Sequence, residues 1–102
     1  MRRLTGVLLM VMLWLPGMVA AETASVRGAA LAATCVTCHG PEGRSQGAIP
    51  SLTTLSSADM TAALQAFRAE TRPGTVMHRI AKGLDDADIT AVETYFATWP
   101  RH

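Results

Sequence analysis

No linker-like run divides the 102 residues, no internal repeat or low-complexity tract interrupts them, and no stretch carries a strand pattern. These absences exclude a multidomain chain and a sheet-based fold, and leave one all-α domain with a single core. Neither sign of charge dominates, nine basic residues standing against eight acidic ones, so nothing points to nucleic acid. No Ser-His-Asp set or paired-carboxylate arrangement stands out, which argues against a hydrolase. Cysteine occurs only at 35 and 38, and histidine only at 39, 78 and 102.

A long hydrophobic run is also missing. The apolar stretch at residues 7–15 is shorter than the roughly 20 residues that span a bilayer. It follows Met1-Arg2-Arg3 and leads through Pro16-Gly17 to small residues ending in Val19-Ala20-Ala21. That order is a secretory signal peptide rather than a retained anchor. Residues 1–21 are therefore expected to be cleaved, and residues 22–102 to form a periplasmic domain of near-neutral charge. A chain of that size buries a low fraction of its surface and commonly needs a staple. Something besides protein is expected to complete its core, and the spacing of the two cysteines argues against a disulfide.

Helical signals account for the rest of the chain. Alanine-rich sequence predicts a helix over 24–38, running into the cysteines. Residues 40–56, with Gly40, Pro41, Gly43, Gly47 and Pro50, predict an irregular loop. Ser57 is expected to cap a helix whose apolar face holds Met60, Leu64 and Phe67 and which ends near Thr71. Arg72-Pro73-Gly74 breaks the pattern. A short helix from Met77 to Lys82 is expected to stop at Gly83 in the left-handed conformation. Asp85 then caps a last helix, with Asp86 and Asp88 near the positive end of its dipole and Ile89, Val92, Phe96 and Trp99 along one face. Pro100 ends it, giving three or four helices in all.

Cys35-Val36-Thr37-Cys38-His39 reads C-x-x-C-H, the attachment signal for c-type haem. On a helix, positions i, i+3 and i+4 share a face, so both thiols can reach the vinyl groups of one porphyrin while His39 points at the iron. A thioredoxin-like dithiol belongs near a β-α-β pattern, and a structural zinc needs four ligands where only His78 and His102 remain. One covalent haem c is therefore expected. It would also supply the apolar surface that the short chain lacks.

A six-coordinate electron carrier needs a second axial ligand opposite His39. With four methionines in the signal segment, Met60 and Met77 remain. Met60 shares a helical face with Leu64 and Phe67 and reads as core. Met77 opens a new segment after the break and is the preferred ligand. His78 is its rival, but adjacent helical residues point about 100 degrees apart, so only one of the two can bind. Pro50 lies eleven residues after His39. A carbonyl there could accept from the far nitrogen of His39, or the proline could simply shape the loop.

With these residues in place, the chain from 22 onward resembles the class I c-type cytochromes. That resemblance implies their fold, with Pro50 backing axial His39, Met77 as sixth ligand, and Gly28 and its alanine neighbours crossing against Tyr95 and Phe96. A closer resemblance is to the cytochrome subunits of flavocytochrome c sulfide dehydrogenases. It is carried by Gly47-Ala48-Ile49-Pro50-Ser51-Leu52, by Phe67 with Arg72-Pro73, and above all by residues 75–84, Thr-Val-Met-His-Arg-Ile-Ala-Lys-Gly-Leu. Thr53-Thr54 departs from it, since a glycine is expected soon after the leucine. The resemblance implies an FAD-containing flavoprotein that oxidises sulfide and passes single electrons to this haem, with a soluble cytochrome or other acceptor downstream. The chain itself would be no enzyme. Alternatives are a free soluble carrier and a haem enzyme or gas sensor with an open sixth position. Arg68, Arg72, Arg79 and Lys82 cluster around Met77 as a solvated face or as a basic rim for an acidic partner.

Overall fold

The computed structural model describes the backbone of residues 16–101 and the side chains from Thr23 to Arg101. The apolar run and most of the expected signal segment lie outside the described residues. Four helices follow in order: α1 (Pro16–His39), α2 (Ser57–Arg68), α3 (Met77–Lys82) and α4 (Asp86–Ala97), with a 3-10 turn at Pro41–Gly43. No strand occurs among the described residues, and the all-α expectation holds. The first helix, expected from 24, already includes residues 16–23. The alanines there propagate helix.

α1 and α4 cross where Gly28 is buried. A Cβ on Gly28 would lie 2.4 Å from the Ala91 carbonyl oxygen and 3.1 Å from the Tyr95 Cβ. Only glycine permits so close an approach of two backbones. Beside the crossing, Arg27 Nε donates to Asp88 Oδ1 at 2.8 Å. Asp88 is buried, and its carboxylate also accepts from the Asp85 amide while the Asp85 side chain accepts from the Asp88 amide. This reciprocal capping box satisfies two donors at the start of α4. The Arg27 guanidinium, with the Asp85 amide, holds the Asp88 carboxyl below the usual aspartate range. The acidic run at 85, 86 and 88 is thus a helix start, as expected.

The core gathers Ala32 from α1, Met60 from α2, and Val92 and Phe96 from α4. Trp99 meets Phe96 and Tyr95 edge to face, at ring-centroid distances of 4.7 Å and 5.8 Å. Ile89 and Val92 are the largest side chains fully buried. Burying two such residues stabilises by about 1.5–3 kcal/mol each, a modest sum for a domain of this length. The core that protein supplies is small, in keeping with the chain's need for a further apolar component.

Other helix ends also differ from expectation. The N-cap of α2 is Ser56 rather than Ser57: its hydroxyl accepts from the Asp59 amide at 3.0 Å. α2 ends at Arg68 rather than near Thr71, because Glu70 takes a left-handed φ of 59°. The amides of Glu70 and Thr71 then donate to the carbonyls of Phe67 and Ala66, a Schellman closure. Gly83, expected in the left-handed region, has φ −80° and ψ −3°. Its own amide and that of Leu84 close tight turns onto Ile80 and Ala81, and right-handed geometry suffices.

Candidate functional site

Cys35, Cys38 and His39 occupy the last turn of α1. The hydroxyls of Thr34 and Thr37 donate back to the carbonyls of Leu31 and Ala33, which satisfies these side chains within the helix. Cys35 is half-buried and Cys38 exposed, and both are free thiols. Burial pushes the Cys35 thiol above its ordinary value. Among the described residues no three His, Cys, Asp or Glu side chains converge as a metal site.

The chain reverses immediately after His39. Gly40 has φ 94°, and a Cβ there would fall 2.1 Å from the Arg44 carbonyl oxygen, so the turn requires glycine. The Leu52 amide donates to the Gly43 carbonyl at 2.8 Å and the Ser45 amide to Ser51 Oγ at 2.8 Å, folding the loop back on itself. That return brings the Pro50 carbonyl oxygen to 2.5 Å from His39 Nδ1. A carbonyl can only accept, so Nδ1 carries the proton and donates. In the neutral ring Nε2 then bears the lone pair, the one available to a metal. His39 itself is 9% exposed, and the bond fixes its ring as well as its tautomer.

Met77 is the first residue of α3 and is half-buried, as is His78 beside it. Met60 is buried in the core with Val92 and Phe96, so its side chain is spoken for. α3 packs on α2 and makes no close backbone contact with α1 among the described residues. The structure thus brings His39 and Pro50 together directly, sets both thiols one turn from them, and places Met77 on a separate element.

Several features fit a covalent haem. Two free thiols stand on one face beside a histidine whose Nδ1 is engaged by Pro50, leaving Nε2 as the nitrogen that could coordinate. The elements bearing His39 and Met77 stand apart on a common α2–α4 scaffold. Ile49, Val76 and Ile80, next to Pro50 and around Met77, remain 43%, 53% and 45% exposed. Large aliphatic side chains in the open are the surface that an apolar ring would cover.

Sequence reasoning missed the hold on α3. Phe67 packs against Gly74, where a Cβ would fall 2.9 Å from the ring, and the Arg72 guanidinium sits 4.8 Å from the same ring's centroid. Arg68 donates to the Leu84 carbonyl and pairs with Asp86, and Lys82 pairs with Glu70. Two of the four cations read as a rim are therefore neutralised by neighbours. The Arg72-Pro73-Gly74 break was the available signal that a ring could lie against this turn.

Residues 25–99 match the cytochrome c family model. The chain is 39% identical over 70 residues to the cytochrome subunit of sulfide dehydrogenase of Chlorobaculum tepidum, covering 69% of this chain and 64% of that one. It is 42% identical over 67 residues to a thiosulfate dehydrogenase electron acceptor of Stutzerimonas stutzeri, covering 62% of this chain and 31% of that one. With cytochrome c-554(548) of Halomonas halodenitrificans it shares 35% identity over 69 residues, covering 64% and 83%. The chain thus spans a little under two thirds of the first of these relatives and under a third of the second. On this match and the helical frame that bears the thiols and histidine, the chain belongs to the cytochrome c family as a class I member, and its cofactor is covalently bound haem c.

Proposed function

We propose that this chain is a periplasmic electron-transfer protein carrying one haem c, with His39 and Met77 as axial ligands and thioether bonds at Cys35 and Cys38. In this reading it is the cytochrome subunit that accepts electrons from an FAD-containing sulfide dehydrogenase and hands them to a soluble cytochrome or other acceptor. Haem c supplies one reversibly stored electron at its iron. The residues keep that exchange cheap: Pro50 fixes the His39 ring and tautomer, so the ligand need not reorient when the charge changes. Cys35 and Cys38 hold the group on α1, and methionine opposite histidine favours the reduced iron.

The observation that carries this reading is the His39–Pro50 hydrogen bond at 2.5 Å, which leaves Nε2 as the free nitrogen. The partner is supported by the relative from Chlorobaculum tepidum and by the resemblance of residues 75–84. Among the described residues no helix is long and apolar enough to cross a membrane. A free carrier is the second reading: the match covers 83% of the Halomonas cytochrome, whose name carries no partner enzyme, against 64% of the sulfide dehydrogenase subunit.

Native purification from the periplasmic fraction, with an absorption spectrum and intact masses of everything that co-elutes, tests the proposal. Expected are one haem on a chain of residues 22–102 and stoichiometric flavin on a larger companion. Haem on a lone small chain would select the free carrier, and a chain without haem would overturn both readings.

A further inference from the structure

α3 is only six residues long, and a helix that short has no stability of its own in water. Its position must come from what holds its ends. At the N-terminal end, Gly74 lies against the Phe67 ring, and a Cβ built on Gly74 would fall 2.9 Å from that ring and 3.8 Å from the Met77 Cβ. At the C-terminal end, Arg68 Nη1 donates to the Leu84 carbonyl at 3.1 Å while Nη2 bonds Asp86 Oδ1 at 2.6 Å. Both ends of the segment that bears Met77 are thus tied to two consecutive residues in the last turn of α2.

We infer that Phe67 and Arg68 form a clamp that fixes the Met77 segment, and that Arg68 is a positioning residue for the sixth ligand. The inference rests on the proposal that Met77 is that ligand. The two bonds of Arg68 differ in weight. Asp86 is 83% exposed and Arg68 31%, so their ion pair is screened by solvent and adds little. The bond to Leu84 is part-buried and charge-assisted, and it pins a carbonyl two residues beyond the end of α3. Without it, that end keeps the exposed Lys82–Glu70 pair and the packing of buried Ala81, and the segment between Gly74 and Leu84 moves over a wider range. The sixth position then opens a larger fraction of the time, and an added ligand binds more tightly in proportion to that fraction.

The test uses the haem-loaded protein and imidazole as the added ligand, read from the absorption spectrum. In Arg68→Ala the imidazole affinity is expected to rise about tenfold, the population shift that losing one charge-assisted bond of about 1.4 kcal/mol produces. The red-region absorption of the iron–methionine bond is expected to fade at a lower temperature than the helices melt. Asp86→Asn is expected to stay within about twofold of wild type, as a screened surface pair implies. Arg68→Lys, whose single ammonium cannot serve Leu84 and Asp86 in the same geometry, is expected to fall between. It also carries the test if Arg68→Ala does not accumulate.

Arg27→Ala, which breaks the ion pair at the α1–α4 crossing, controls for general loss of stability. An Arg68 variant with wild-type imidazole affinity would overturn the clamp, as would an equal rise in Arg27→Ala. Met77→Ala separates the two layers: if it keeps the red-region absorption, Met77 is not the ligand, whatever Arg68 does.

Discussion

His39 takes its chemical state from a residue eleven positions away. With its Nδ1–H donating to the Pro50 carbonyl, the neutral ring has one tautomer and one free nitrogen. That pairing was legible because a turn-rich loop of fixed length follows the motif directly. Longer reaches were not. Arg27 finds Asp88 61 positions on, and Arg68 finds Leu84 16 positions on. Flexible side chains report no partner in a sequence until the elements are packed. Thr53 is another such case. It stands where a glycine neighbourhood was expected, is 4% exposed, and its Oγ1 has no hydrogen-bond partner among the described residues. A buried unpaired hydroxyl costs about 1–3 kcal/mol, and valine has the same shape without it. Thr53→Val tests this in chemical denaturation of the holoprotein: a gain of about 1 kcal/mol is expected where the bound haem leaves the hydroxyl unpaired. A destabilised variant would mean that the hydroxyl has a partner in solution.

At the scale of elements, helix existence was legible and helix ends were less so. The apolar spacing of Met60, Leu64 and Phe67 and the Asp85 cap both located their helices. The end of α2 escaped because its left-handed position holds Glu70, where glycine or asparagine is the usual signal. Gly83 misled in the opposite direction: a glycine after a short helix signals a left-handed cap, yet its backbone is right-handed. The nearest atom to a Cβ there is the Ile80 carbonyl oxygen at 3.4 Å, an ordinary contact. Gly83→Ala is therefore expected to raise stability by about 0.4–1 kcal/mol, by restricting the unfolded chain. Denaturant midpoints of holoprotein and variant check this. A loss of similar size would show that Gly83 leaves the right-handed region when the segment moves.

At the scale of the whole molecule, a short chain, a small protein core and a covalently held ring belong together. α1 and α4 cross on Gly28 and Ala91, α2 packs beside α4, and α3 is carried on α2. The elements bearing His39 and Met77 are thus supported separately, which suits two axial positions on opposite sides of one ring. The attachment side was readable from five consecutive residues. The choice of Met77 rests on elimination and resemblance, because a methionine has no spacing rule of its own. The central claim, that His39 and Met77 hold the two axial positions of one covalent haem, is tested most directly by the absorption spectrum of Met77→Ala beside wild type. The variant is expected to keep its covalent haem, lose the red-region absorption of the iron–methionine bond, and bind added imidazole or cyanide readily. A spectrum identical to wild type, with no gain in ligand binding, would remove Met77 from the site.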